Sequence, residues 1–473
     1  MKKIQTIAFA LLSVFGMASC SLNEAELFDQ KDAATAYSSV KDIENGMNGA
    51  YYYLGQYRFL GNYATSIGDF ASGVSMGSSS SGHMYNMSDF TFSATDEEFE
   101  DTWAYGYYVL SSATKTIAGA NELIEAGKVT ESEMPAVSNY MAQCYALKAL
   151  TNFYLVNYFA LPYSQENLNK EGIVIIDKQP TEAFAQVKRG TIAETYAQIL
   201  SDIKNAESCF EEAGDEAESQ AYYMTPMGVS ALKARVAMAM GNYSEAKAAA
   251  LEALKILGKG NAKGSDLNPS NEEYLINWAY TAINPEDIFT IKKSEDDNLS
   301  ANSLNTLYGS YEATTQNAVI DLFGDNDIRL ELIADGEVCK KYNGAAAQAV
   351  TNIPVFRKSE MALILAECYA REGDIETAKD YVMYTAKRDA DMTADQLPAD
   401  KEGLLAFIAD ETVREFFAEG HRFFEARRLG LKISGDNFSN WDIKNFCFPI
   451  PEAEINTGTG CTQNNWFDYL PQR

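Results

Sequence analysis

Six aromatic residues fall outside any helical periodicity and stand beside amides or in glycine-rich segments: Tyr63, Tyr85, Trp278, Tyr280, Tyr308 and Tyr311. Tyr308 and Tyr311 bracket Gly309-Ser310, with Asn302 and Asn305 just upstream, and Trp278 and Tyr280 have Asn277 and Asn284 as neighbours. Tyr63 and Tyr85 come from a stretch, 57–101, that carries repeated glycines and the run Ser78-Ser79-Ser80-Ser81. A flat aromatic face covers the apolar side of a sugar ring, and amides read its hydroxyls, so this grouping points to a polyhydroxylated ligand. The remaining tryptophans read differently. Trp103 lies on a helical pattern and is expected in the core, while Trp441 and Trp466 lie in the closing segment and read as packing.

Catalytic and metal chemistry find less support. A glycosidase needs two carboxyl groups roughly 5–10 Å apart in a cleft. The tight clusters that look loop-borne are Asp296-Asp297 and Asp325-Asn326-Asp327, and Asp327 precedes an apolar pattern from Ile328, the place of a helix cap. With two histidines, His83 and His421, a histidine-rich zinc or iron site is not expected; His421, among phenylalanines at a helix start, reads as structural. Cys144, Cys209, Cys339, Cys368, Cys447 and Cys461 form no Cys-x-x-Cys pair and no disulfide framework. No catalytic residue, metal or cofactor is assigned. Net charge of −29 and a pI near 4.5 argue against nucleic acid as a partner, since phosphates would be repelled.

The N-terminus carries an address. Lys2 and Lys3 precede an apolar run, Ile4 to Phe15, which is too short for a bilayer span of about 20 residues. Met17-Ala18-Ser19-Cys20 then matches a bacterial lipoprotein cleavage box. Residues 1–19 are therefore expected to be removed and Cys20 lipidated, leaving 20–473 as one domain held at the membrane by its acyl chains alone.

The elements that must position the aromatics are helical. Apolar residues recur at helical spacing over 32–53, 103–126 and 136–158, and Thr191 with Glu194 forms a capping box before a helix through Phe210. An interrupted repeat follows. Ala234–Lys247 and Ala366–Lys379 each place alanine seven residues before a glycine and Ala-Lys five and six after it, the pattern of a tetratricopeptide-like helix hairpin. Irregular insertions are expected at about 55–101 and 258–352, with a short strand at Asp287–Ile291. Finally, Val413–Gly430 reads as two helices broken at Gly420. They would bury Phe416, Phe417, Phe423 and Phe424 and leave Arg414, Glu415, Arg427 and Arg428 at a charged rim.

The cleavage box, the alanine-rich Tyr140–Tyr158 helix, Ile353-Pro354-Val355-Phe356-Arg357-Lys358-Ser359-Glu360, the Val413–Gly430 stretch and the tail Phe448–Asn456 with Thr462-Gln463-Asn464 together resemble the SusD/RagB family of surface nutrient-binding lipoproteins. The resemblance implies an all-α fold of four tetratricopeptide-like pairs with ligand-binding loop insertions on one side. It implies a cell-surface, outer-membrane protein that captures a nutrient, above all an oligosaccharide, without catalysis. Its partner would be a SusC-like TonB-dependent outer-membrane barrel. The family usually has glycine where this chain has Ala160. Two other readings remain open on the residues alone: a glycan hydrolase on a helical scaffold, and a tetratricopeptide-type protein–protein scaffold.

Overall fold

The structure is a computed structural model that describes residues 36–178, 186–256, 271–279, 282–334, 337–342, 349–458 and 460–472. The expected leader, Cys20 and Tyr280 lie outside the described residues. Among the described residues, twelve helices of two turns or more carry the body: α1 (Val40–Leu54), α2 (Tyr63–Ala71), α3 (Glu97–Glu125), α4 (Met134–Phe159), α5 (Ile192–Ala213), α6 (Pro226–Ala239), α7 (Tyr243–Ile256), α8 (Asn271–Ala279), α9 (Lys358–Glu372), α10 (Ile375–Ala386), α11 (Lys401–Phe416) and α12 (His421–Leu429). Ten short strands accompany them: β1 (Ser75–Met76), β2 (Glu171–Val174), β3 (Arg189–Thr191), β4 (Asp287–Ile291), β5 (Thr314–Thr315), β6 (Ile333–Ala334), β7 (Val338–Cys339), β8 (Ile353–Arg357), β9 (Lys432–Gly435) and β10 (Phe438–Asp442). The architecture is all-α, with strands only as clips between loops.

Helix α4 is the axis of the body. Of its 26 residues 21 are buried, and α1, α3 and α5 all pack on it. A helix covered on every side has no polar stripe, which suits its run of alanines and aromatics. The Thr191–Glu194 capping box starts α5 as read: the Thr191 hydroxyl accepts from Glu194 N at 3.1 Å, and the Glu194 carboxylate accepts from Thr191 N at 2.8 Å. The two repeat copies become the pairs α6/α7 and α9/α10, each turning at a glycine in the left-handed region, Gly241 (φ 71°) and Gly373 (φ 88°). More than a hundred residues separate the copies in sequence, yet α9 packs directly on α7. Lys247 reaches Glu372 at 2.6 Å across that seam.

The insertions are less irregular than their sequence. The 57–101 stretch contains α2, eight of whose nine residues are buried; its polar residues Thr65, Ser66 and Asp69 fall at helical spacing, but they too are inside. The second insertion holds α8 and the expected strand Asp287–Ile291, which pairs antiparallel with β8. The tail is pinned by amides. Gln463 accepts from Ile450 N and donates to Ile450 O, both at 2.7 Å, and Asn464 Nδ2 donates to Phe159 O and Phe448 O at 2.8 and 2.7 Å.

Gly420 (φ 84°) separates α11 from α12 as expected. A Cβ there would collide with the Thr65 carbonyl, and Gly420 N donates to Asp69 Oδ2 at 2.8 Å, so the break is seated on α2. Phe416, Phe417 and Phe423 are buried; Phe424 is half-buried. The charged rim is not a rim. Glu415 is wholly buried and receives Arg357 at 2.8 Å, Arg388 at 2.9 Å and Arg329 at 3.3 Å. Around it Arg329 also meets Asp327 (2.7 Å) and Glu411 (2.8 Å), while Arg357 and Lys341 both meet Glu419, at 2.8 and 2.7 Å. Glu286 completes the group, with Arg357 at 3.2 Å and the Tyr384 hydroxyl at 2.5 Å. Arg414, on Glu411 at 2.7 Å, brings the cluster to five cations against five carboxylates, and such pairing makes burial tolerable. Arg427 is buried too, donating to the Asn157 and Ala160 carbonyls at the end of α4. Arg428 pairs with Glu367 of α9 at 2.7 Å.

Burial alone would raise the Glu415 pKa, but the guanidiniums of Arg388, Arg357 and Arg329 hold it well below the carboxylate range. Replacing it takes from three buried cations the carboxylate they share, so Glu415→Ala is expected to lower stability by about 3–5 kcal/mol, read as a shift in the urea midpoint. Asp69 behaves in the opposite sense. Burial pushes its pKa up to about 8 from 3.8, against the opposing Gly420 N–H, so it binds its proton more tightly when folded. Its contribution is complete below the unfolded pKa and is lost as pH rises toward 8. Asp69→Asn should therefore flatten the fall in thermal stability between about pH 4 and about pH 8, leaving the slope due to Asp287, which burial also raises to about 8. A wild-type slope in the variant would refute this.

Candidate functional site

The two insertions meet in a four-stranded sheet of order β1-β5-β7-β6. Ser75 stands opposite Thr315 and Met76 opposite Thr314, and Thr314 in turn pairs with Val338. This pairing sets the loop leaving β1 (77–85) beside the loop entering β5 (309–313). Ser81 Oγ donates to the Tyr311 carbonyl at 2.8 Å and Ser78 Oγ to Glu312 Oε2 at 3.4 Å. Gly77 is required here, because a Cβ would run into the backbone at Met84–Tyr85. Met84 (φ 56°) and Glu312 (φ 59°), one in each loop, hold left-handed backbone despite having side chains. Such strain persists only where surrounding structure imposes it, and it gathers at ligand-contacting loops.

The product is a stacked ring pair. His83 and Tyr311 lie face to face, centroids 3.7 Å apart and planes inclined by 8°. His83 is exposed, Tyr311 half-exposed, and Tyr85, two residues on, is 37 % exposed. Exposed Ser79, Ser80 and Glu312 border them with hydroxyls and a carboxylate. Flat rings fringed by hydrogen-bonding groups suit the apolar face and equatorial hydroxyls of a sugar. His83 carries no expectation as a platform residue in the sequence, where the scarcity of histidines speaks only against a metal site. The signal available was a ring one residue from Tyr85 in a glycine- and serine-rich loop.

The other expected platform residues divide. Tyr308 is fully buried: its hydroxyl shares a hydrogen bond with Ser75 Oγ at 2.9 Å, and its ring stacks between Phe70 (6.0 Å) and Tyr342 (6.1 Å). It cannot touch a ligand; it is the floor beneath the loops. Trp278 is buried as well, edge-on to Tyr342 at 6.1 Å with Lys341 Nζ 4.8 Å from its ring. Its neighbouring amides suggested a loop, but it belongs to α8, whose inner face joins the core. Tyr63 opens α2, half-buried and edge-on to Tyr57 at 5.5 Å. Asn302 and Asn305 are used internally. For Asn305 this is the side chain, whose Nδ2 donates to Thr351 Oγ1 at 2.7 Å; for Asn302 it is the backbone carbonyl alone, which accepts from Asn62 Nδ2 at 2.9 Å while the residue stays exposed.

The sequence matches two family models, one described as starch-binding associating with outer membrane over residues 27–238, the other as the SusD family over 335–467. The chain belongs to the SusD/RagB family. Among solved structures it is similar to a candidate sugar-binding protein of Bacteroides vulgatus (22 % identity, TM-score 0.79, covering 90 % of this chain and 98 % of that one). A SusD superfamily protein of Bacteroides thetaiotaomicron is alike at 21 % identity and TM-score 0.77, covering 90 % and 100 %. A SusD-like carbohydrate-binding protein of Bacteroides vulgatus matches at 17 % identity and TM-score 0.70, covering 85 % of each chain. No curated protein matches the sequence.

Ala160, in place of the glycine usual in the SusD/RagB family, has φ −138°, extended backbone open to any residue. The residues weighed for catalysis are engaged in structure. Asp327 Oδ1 accepts from Arg329 N at 2.9 Å, as a cap does, and its carboxylate enters the buried ion cluster. Asp297 pairs with Lys293 at 3.2 Å. His421 stacks on Phe416 at 4.2 Å, and burial together with the charges of Arg235, Arg357 and Lys341 holds its pKa well below the usual imidazole value. Among the described residues no three His, Cys, Asp or Glu side chains converge as metal ligands. Cys144, Cys209, Cys368, Cys447 and Cys461 are free thiols. The two tyrosines of the 300s loop should separate cleanly on substitution. Tyr308→Ala is expected to cost about 3–5 kcal/mol from its lost packing, and Tyr311→Ala within about 0.5 kcal/mol, both measured by chemical denaturation.

Proposed function

We propose that this chain is a cell-surface lipoprotein that captures an oligosaccharide on the His83–Tyr311–Tyr85 platform and delivers it to a TonB-dependent outer-membrane barrel. The observation that carries the reading is the face-to-face His83–Tyr311 pair, built where the two insertions are clipped together by β1 and β5. Family membership and the sugar-binding descriptions of similar structures support the ligand class. The lipoprotein-type leader supports anchoring at Cys20, and among the described residues no helix is long and apolar enough to cross a membrane. Capture requires no bond to be broken. The platform offers rings and hydroxyl partners, and the carboxylates weighed for hydrolysis at 296–297 and 325–327 lie outside it.

Calorimetry against a panel of oligosaccharides tests the reading. The wild type is expected to bind at least one member without releasing product, and Tyr311→Ala with His83→Ala to weaken it by about 2 kcal/mol or more, roughly thirtyfold. Unchanged affinity in the double variant would remove the platform from consideration, and product release would favour a hydrolase. Co-purification of an outer-membrane barrel with the lipidated chain checks delivery.

A further inference from the structure

A second cavity, of about 750 Å³, opens between α3, α4 and α5, and shares no lining residue with the platform loops. Its volume lies within the usual range of small-molecule sites, about 300–1,000 Å³. At its base stand Lys148 (3 % exposed) and Asp202 (1 % exposed), whose charged atoms are 3.7 Å apart, longer than a close hydrogen bond. Asp202 Oδ2 is buried without a hydrogen-bond partner, and so is Thr114 Oγ1 in the α3 wall. Buried acceptors of this kind are costly unless something donates to them. Tyr145, half-buried, supplies an aromatic ring, and Gln198 and Asn205 supply amides on the α5 side.

Charge selects the ligand class. Lys115, Lys148 and Lys178 are matched in the lining by Glu122, Asp177 and Asp202, so the cavity is balanced within a chain of net charge −29. An anion would meet the carboxylates and a cation the ammonium groups. A neutral polyol meets neither conflict. A carboxylate with a free acceptor beside an ammonium is complementary to a vicinal diol: one hydroxyl donates to Asp202 while its neighbour accepts from Lys148. We propose that this α3–α4–α5 cavity is a second ligand site, one that takes a neutral sugar of one or two rings with a vicinal diol on the Lys148–Asp202 pair.

The inference does not rest on the platform, and the experiment separates them. The full mature chain carrying His83→Ala and Tyr311→Ala is titrated with glucose, maltose, cellobiose and N-acetylglucosamine, by calorimetry and saturation-transfer NMR. At least one of the four is expected to bind saturably. In the same background Gln198→Trp, which fills the cavity from its half-exposed wall and removes an amide that bonds Asp202, should weaken that sugar about tenfold or more. Asn205→Ala serves as the second variant, with the same direction expected, and thermal melts confirm that both remain folded. Absence of binding by all four sugars to the platform-free chain would overturn the proposal. Binding that survives both cavity variants unchanged would overturn it equally.

Discussion

One buried carboxylate joins three segments that lie far apart in this chain. Glu415, on α11, holds Arg329 from the second insertion, Arg357 from the end of β8 and Arg388 from just after α10. Those three arginines come from segments that share no local sequence relation, so their meeting fixes how insertion, strand and helices sit together. The cost of desolvating so many charges is large, and only near-complete mutual neutralisation makes it bearable. Such a cluster contributes less to net stability than its number of contacts suggests. It contributes specificity, since any other arrangement of the same segments would leave a cation buried without its anion.

Helix pairs and insertions divide the labour. The α6/α7 and α9/α10 hairpins meet across the Lys247–Glu372 seam although the insertion lies between them in sequence. The body is thus continuous in space while the chain leaves it to build loops and returns. Where the two excursions meet they are clipped by two-residue strands, and the loops beyond those clips carry the stacked rings of His83 and Tyr311.

How much of this could be read in advance depended on whether the deciding interaction was local. The Thr191–Glu194 capping box, the break at Gly420, the hairpin glycines and the strand at 287–291 were legible because each follows from a few neighbouring residues. Helix α2 was not, because its polar stripe of Thr65, Ser66 and Asp69 is short and stands between the glycines of an otherwise aperiodic stretch. Glu415 and Arg427 were misplaced at a rim because their partners lie far off in sequence, and a charge is read as exposed until a counter-charge is found. The candidate site was half legible. Tyr311 and Tyr85 sit on the surface as read, whereas Tyr308 and Trp278 point inward; residue type and loop composition cannot say which face of a loop looks out.

The inward turn of Tyr308 has a mechanical consequence. Phe70, Tyr308, Tyr342 and Trp278 form a continuous row of rings at about 6 Å steps, ending under Lys341, which itself grips Glu419. The row is tied to β1 by the Tyr308–Ser75 hydrogen bond and finishes in the ion cluster, so the loops beyond β1 are mounted on a highly constrained part of the molecule. A ligand settling on His83 and Tyr311 would meet a surface whose shape has already been fixed at folding. The entropy of ordering those loops is then charged to folding and not to binding, and weak stacking contacts suffice for useful affinity.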